Sequence, residues 1–296
     1  MTLDQLRVFV AVAERQHVTQ AARALNLAQS AVSHAVSTLE DGFQVKLFNR
    51  VGRGIELTEA GIMFLGEARA VLARAAAARL KLSELGELKR GTLLVHASQT
   101  IAGYWLPSRL MAFRAHYPQI EIRLAIGNTH DVVRQVHEGV AEIGFVEGAI
   151  DDPELASAVV AQDQLVLVVS PSHPWVQRNR QQKLRPSELL ETDWILREPG
   201  SGTRSEFEAA LERLGVSPHA LRIALELPSN EAVRAAVESG VGATVISASV
   251  AAPSLEAELL HRVPLDLPQR HFQVVHHRER YLSRSAAALL SLLGLT

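Results

Sequence analysis

Gln29, Ser30, Ser33, His34 and Ser37 fall on one side of a helical pattern whose other side is an apolar stripe of Ala31, Val32, Ala35, Val36 and Leu39. A helix that faces water ordinarily carries Lys and Glu, and this face carries amide, hydroxyl and imidazole groups instead. Such groups can meet base edges in a major groove. Gln pairs with adenine, serines reach bases or phosphates, and no carboxylate among these five repels a phosphate backbone. Thr19, at the start of the preceding helical pattern, joins the set. The helix taken alone is equally open to a plainer reading, a solvated face built from weak helix formers. A short way on, Arg50 and Arg53 sit at a Gly52-Arg53-Gly54 turn. There they either neutralise phosphates and release counterions or are simply solvated.

A second kind of chemistry is suggested further along. Four groups of hydroxyl and amide residues stand where a strand pattern gives way to a helical one: Ser98-Gln99-Thr100, Asn128-Thr129, Gly200 to Arg204 with Ser201 and Thr203, and Ser229-Asn230. In open α/β sheets ligands bind beyond the carboxyl ends of the strands, where helix N-termini offer free N–H groups. Any one loop is explained without a ligand by N-capping. Four converging loops suit a small oxyanion, to which Arg204 or Arg197 would add a full charge. Glu147, at the end of "GFVEG", opposes a purely anionic ligand; it binds a donor group on such a ligand or pairs with Arg204.

Enzyme motifs are not met. "PGSGTR" is neither Gly-x-Ser-x-Gly nor a Walker loop. His276 and His277 lie on a strand pattern, so they point to opposite faces and do not chelate one metal by spacing alone. The chain has no cysteine, which excludes a disulfide framework, an iron–sulfur cluster, a thiolate zinc site and a cysteine nucleophile. No cofactor is implied.

The elements that must position these residues divide the chain in three. Over residues 3–57 short helical patterns (Leu3, Leu6, Phe9, Val10, Ala13; then 19–25 with Ala21, Ala22 and Leu25) precede the quoted helix, with Asn26 offering a left-handed turn. Leu47-Phe48 and Ile55-Leu57 read as strands of a hairpin. Two helices joined by about four residues, followed by a hairpin, make a winged helix-turn-helix. Over 58–89 Phe64, Ala68, Val71, Ala75, Ala78, Leu82 and Leu85 form an apolar seam along a helix of about 30 residues, about 45 Å long. A seam of that length calls for a partner helix, or else packs on the chain's own second domain. From Gly91 onward strands alternate with helices: "GTLLVHA", "IEIRLAI", "AEIGFVEG" and "LVLVVS" read as buried strands, with helices at 106–117 and 131–137.

Composition bounds the reading. With 296 residues about two domains are expected, and 47% apolar with 5% aromatic residues gives a core of Ala, Val and Leu. Net charge is −2, yet residues 1–90 hold 12 Lys and Arg against 9 Asp and Glu, and the rest 18 against 23. The apolar stretch 8–13 is too short for a signal sequence and no run of about 18 apolar residues exists, so a cytoplasmic protein with no membrane partner is expected.

The run "AARALNLAQSAVSHAVSTLEDGFQVKLFNRVGRGIELTEAG" resembles the winged helix-turn-helix of LysR-type transcriptional regulators, with its paired alanines, Gln at the recognition-helix start, Leu-Glu, Leu-Phe-x-Arg and Leu-Thr-x-x-Gly. Ala28, Ser30 and Gln44 depart from the family's usual Ser or Thr, Pro and Gly. Without Gly the left-handed helix exit costs about 1 kcal/mol more, unless Gly42 or another turn takes over. His17, where a small residue is common, is expected to be solvated or locally capping.

The resemblance implies an α+β multidomain chain. Residues 1–58 would be the winged DNA-binding domain and 59–90 a linker and dimerisation helix. Residues 91–296 would form a two-lobed α/β effector domain like periplasmic binding proteins, with lobe I about 91–162 plus 266–296 and lobe II about 163–265. It implies a homodimer or homotetramer reading a dyad-symmetric promoter site in double-stranded DNA, with an effector between the lobes. "REPGSGTR" is similar to the subgroup linked to sulfur metabolism and anion sensing. The competing expectation is a cytosolic solute-binding protein or enzyme whose first 90 residues serve for oligomerisation.

Overall fold

The computed structural model describes residues 1–51, 54–83, 91–148, 150–177 and 184–295, with the side chains of 77 and 79–83 outside the description. Arg53 and Leu85 therefore lie outside the described residues, as does the Leu82 side chain. Two compact units are present, one of residues 1–87 with 138–140 and the other of 88–137 with 141–296.

In the first unit α1 (Leu3–Arg15), α2 (Val18–Leu25) and α3 (Gln29–Phe43) precede the two-stranded hairpin β1 (Phe48–Val51) and β2 (Gly54–Leu57), after which α4 (Glu59–Ser83) begins. A capping box opens α1: the Thr2 side chain accepts from the Gln5 N–H, and Gln5 returns the contact. Each of the three helices ends on a non-glycine residue in the left-handed region: Gln16, Asn26 and Gln44. Gln44 thus takes the strained conformation itself and Gly42 stays inside the helix; the Gln44 amide nitrogen donates to the Asp41 carbonyl at 2.8 Å. Val32 and Leu39 are buried and Ala35 and Val36 half-buried, but Ala31 is exposed. The stripe on α3 is one residue narrower than expected, because residues of α1 and α2 pack against Val32, Ala35, Val36 and Leu39 and leave Ala31 uncovered.

α4 departs from the single seam read in the sequence. Ala68 is wholly buried and Phe64 half-buried against Leu6, Phe9, Leu39 and Leu47 of the winged domain, with the Phe9 and Phe64 rings 5.0 Å apart. Val71 and Ala78 are exposed and Ala75 is half-buried. The first four turns of the helix, Ala60 to Leu72, serve the domain's own core, which the sequence spacing could not separate from a surface for a partner.

The second unit is built on one nine-stranded sheet. Its first half is formed by β3 (Gly91–Ser98), β4 (Ile120–Gly127) and β5 (Ile143–Glu147), with α5 (Gln99–Tyr104), α6 (Leu106–His116) and α7 (Thr129–His137) between them. The 15-residue β6 (Leu155–Val169) then leads to β7 (Asp193–Arg197), α8 (Gly202–Arg213), β8 (Arg222–Leu227), α9 (Asn230–Glu238), β9 (Ala243–Ser247), α10 (Ala248–Glu256) and β10 (His261–Val263). β11 (Gln269–His277) returns to the first half and α11 (Arg284–Leu292) closes the chain. Strand order is β4-β3-β5-β11-β6-β9-β7-β8, with β10 beside β6.

β6 changes partners along its length. Leu155 to Gln164 pair with β11, and Leu165 to Val169 pair with β9. The chain therefore crosses between two lobes on β6 and returns on β11, and the lobes have separate cores. Lobe I buries Leu93, Ile101, Phe113, Phe145 and Phe272 on one face of the sheet and Val132, Val136 and Val146 on the other. Lobe II buries Leu167, Trp194 and Phe207, and across its sheet Val168, Val233 and Val250. β5 and β9, flanked on both sides, are buried throughout. β4 is a correction to the sequence reading: as an edge strand it alternates, with Ile120 buried and Glu121, Arg123 and Ala125 exposed.

Candidate functional site

Two regions gather the residues singled out in the sequence. In the first unit Gln29, Ser30, Ser33, His34 and Ser37 are all exposed on α3, Arg50 is exposed on β1, and Thr19 is half-exposed on α2. His17, Thr19, Gln29, Ser33 and Arg50 line one concave space of about 240 Å³ with Val18, Gly54 and Ile55. Neither helix start at this place is capped by a side chain: His17 holds the N-cap position of α2 and Ala28 that of α3, without a side-chain bond. First-turn amides and helix dipoles at two adjacent starts, with a guanidinium opposite, favour a bound phosphate. Ser37 is spent differently: its hydroxyl donates to Asp41 Oδ2 at 3.0 Å, so the far end of the face carries a carboxylate.

The hairpin is fixed to α3 by a residue that sequence reasoning passed over. Glu40, buried on α3, accepts from the Leu47 N–H at 2.8 Å, the Phe48 N–H at 3.2 Å and Lys46 Nζ at 2.7 Å. From the other side the Thr58 hydroxyl donates to the Lys46 carbonyl at 2.7 Å, and the Ile55 N–H donates to the Gln16 carbonyl. Its signal was an acidic residue beside Leu39 on the inner side of the helix.

In the second unit the four loops meet where the lobes face each other. The Asn230 N–H donates to Gln99 Oε1 at 2.6 Å and Asn230 Nδ2 donates to Thr100 Oγ1 at 3.0 Å, while Arg197 Nη1 donates to Asn230 Oδ1 at 2.6 Å. Asn128 Nδ2 donates to Glu198 at 3.3 Å and the His130 N–H to the Gly200 carbonyl at 3.1 Å. Gly200 has φ +88°. A Cβ on Gly202 would stand 2.5 Å from Thr129 Oγ1, so only glycine lets the start of α8 approach lobe I this closely. Thr129 Oγ1 in turn donates to the buried Glu147 at 3.0 Å.

Individual loop residues divide by role. Ser229 caps α9 through the Ala232 N–H, and Asn128 Oδ1 caps α7 through the Asp131 N–H. Ser201 holds the N-cap position of α8, buried and without a side-chain cap. Arg204 does not pair with Glu147: its Nε and Nη1 donate to Glu208 at 2.7 Å and Glu226 at 2.6 Å, carboxylates of its own lobe.

Two cations are buried at the lobe boundary, Arg197 and, more deeply, Arg270, which bonds Asp163 at 2.7 Å and Thr203 at 2.9 Å. Its signal was period two: Arg270, Phe272 and Val274 share one face of β11, and that face is buried. Among the described residues no group of three or more His, Asp or Glu side chains is placed to hold a metal ion, and no helix is long and apolar enough to cross a membrane.

Comparison with known proteins decides what a winged unit joined to a two-lobed one amounts to. The model "Bacterial regulatory helix-turn-helix protein, lysR family" matches residues 3–62, and "LysR substrate binding domain" matches 86–294. The chain belongs to the LysR family. It is 35% identical over 292 residues to the HTH-type transcriptional regulator YeiE of Escherichia coli K12, covering 98% of this chain and 96% of that one. It is 32% identical over 292 residues to a probable RuBisCO transcriptional regulator of Trichormus variabilis, covering 97% and 86%. Among solved structures, the LysR family regulator CbnR superposes with a TM-score of 0.70 at 24% identity over 99% of this chain and 98% of that one. Full-length CbnR in complex with its target DNA gives 0.68 at 24% identity, over 99% of each chain. This chain is thus a LysR-type transcriptional regulator, a DNA-binding protein with a ligand-binding domain.

Proposed function

We propose that this LysR-type regulator reads a dyad-symmetric promoter site as a homodimer that assembles further into a tetramer, and that a small anion held between the lobes is its effector. Gln29, Ser30, Ser33 and His34 meet base edges, and Thr19, Arg50 and the open starts of α2 and α3 hold phosphates. The observation that carries the reading is the shared concave space in which two uncapped helix starts face Arg50.

Dimerisation falls to α4 through Val71, Ala75 and Ala78. An open apolar groove of about 760 Å³ alongside, lined by Phe43, Val45, Met63 and Phe64 among others, adds to the surface that a partner covers. The effector lies among Ser98, Thr129, Glu147, Ser201 and Thr203. Gln99, Thr100, Asn128 and Ser229 hold the lobes to each other or cap helices, and Arg204 keeps a charge already paired within lobe II. The protein works in the cytoplasm by binding alone, without a catalytic step.

Electrophoretic retardation of the promoter fragment next to its own gene tests this. A retarded band that weakens on Gln29→Ala and Arg50→Ala, with the oligomer intact by sedimentation, is expected. No retardation at low salt, with or without small anions, defeats the proposal.

A further inference from the structure

We infer that Arg270 is the cationic anchor for the effector, and that the effector is an anion that also carries a hydroxyl or protonated oxygen, directed to Glu147. This rests on the reading of the lobe boundary given above and deepens it. After Trp194, Arg270 is the largest fully buried side chain among the described residues. It stands opposite Asp163 where β11 and β6 run side by side, at the crossing between the lobes.

Its Nε donates to Asp163 Oδ2 at 2.7 Å and its Nη1 to Thr203 Oγ1 at 2.9 Å. The other Asp163 oxygen accepts from Ser247 Oγ at 2.7 Å. The third nitrogen, Nη2, is closed to solvent and has no acceptor among the described residues, and the same is true of the hydroxyl of Ser98 at the end of β3. Burying a donor of a charged group without an acceptor costs more than an ordinary hydrogen bond returns. Both unmet groups can donate, and one belongs to a cation, so a ligand with negatively charged acceptor oxygens satisfies them. Glu147, 4% exposed and already accepting from Thr129, repels a second negative group unless that group brings a hydrogen. What sets Arg270 apart from the other two candidate cations is its unmet nitrogen: Arg204 donates to Glu208, Glu226 and the Arg197 carbonyl, all three side-chain nitrogens of Arg197 donate to Glu198 and Asn230, and neither side chain has a buried nitrogen left over.

The test uses the full chain and four probes, acetate, glycolate, sulfate and hydrogen phosphate, read by thermal stabilisation and by calorimetric Kd. Glycolate and hydrogen phosphate bind more tightly than their partners without a hydroxyl. Arg270→Lys keeps a charge beside Asp163 but loses the fork, and weakens binding about ten-fold or more. The pair Arg270→Gln with Asp163→Asn, in which neither charge is left alone, does the same should the single variant fail to fold. Ser98→Ala removes an unpaired hydroxyl, so it weakens binding without lowering the melting temperature. Glu147→Gln brings acetate level with glycolate.

Unchanged affinity in the Arg270 variants overturns the anchor and leaves the anion-responsive regulator standing. Equal binding of hydroxylated and plain anions overturns the assignment to Glu147. A wild-type protein that none of the four probes stabilises overturns the anionic-effector reading together with this inference.

Discussion

Arg50 is exposed on β1 and shares its concave space with Gln29, Ser33 and the start of α2. A phosphate contact made there is electrostatic and indifferent to sequence. Arg50→Ala is therefore expected to weaken binding to all DNA alike and to reduce the slope of log K against log salt by about one per protomer. Fluorescence anisotropy over a salt series reads this; an unchanged slope removes Arg50 from the phosphate contacts. Gln44, at φ 56° and ψ 35°, holds a conformation that costs an L-residue roughly 1 kcal/mol and glycine nothing. Gln44→Gly is expected to raise stability by about 0.5–1 kcal/mol, less what is lost with the bond from Gln44 to the Asp41 carbonyl. Urea unfolding checks the sign.

At the scale of elements, Glu40 ties α3 to the start of the hairpin. Its carboxylate stops the Leu47 and Phe48 amides at the helix end, and Thr58 holds the same segment from the opposite side. Glu40→Ala leaves those donors without a partner and is expected to cost about 1–3 kcal/mol, whereas Glu40→Gln keeps an acceptor and costs less. A double-mutant cycle with Arg50→Ala on DNA affinity then shows whether the hairpin has lost its aim, since a purely structural loss leaves the two effects additive. Between the lobes, Gly202→Ala sets a methyl group against Thr129 Oγ1, so Thr129 must turn and release Glu147. Such overpacking is expected to lower stability by roughly 1–3 kcal/mol and to abolish stabilisation by added anion. An unchanged melting temperature would show that the lobes part without cost.

The whole molecule carries a pH dependence in three imidazoles. His96, His173 and His277 all have pKa values below the ordinary 6.5, with burial the largest cause in each. At His173 burial is the cause, and the hydrogen bonds agree with a neutral ring: the Trp175 N–H donates to Nδ1, which leaves the proton on Nε2, toward Thr192. A depressed pKa in the folded state means that the unfolded chain binds more protons. This contribution to stability is complete above pH 6.5 and is lost as pH falls below it. Melting at a lower temperature at pH 5.5 than at pH 7.5 is expected, with a shallower dependence in His173→Gln. Assembly is tested on α4, where Val71→Glu places a charge on an exposed apolar site. If α4 is the dimer contact proposed above, it shifts the sedimenting species toward the monomer by well over ten-fold in dissociation constant, since each protomer would lose an apolar contact and gain a repelling charge.

What the sequence determined was local. Helical and strand periods, the left-handed turn at Asn26, the uncharged face of α3 and the strand ends that carry hydroxyls all follow from residues within a turn or two of each other. Tertiary structure decided which groups become partners. Arg270 and Asp163 are 107 positions apart and meet only because β6 and β11 both cross between the lobes. Arg204 turns to Glu226 because β7 and β8 lie side by side. Ile126 is 60% exposed because β4 is an edge strand, and Ala68 is wholly buried because α1 packs on α4. A charge or a methyl group takes its energy from whatever the fold brings within a few ångströms, and that neighbour is not written in the adjoining sequence.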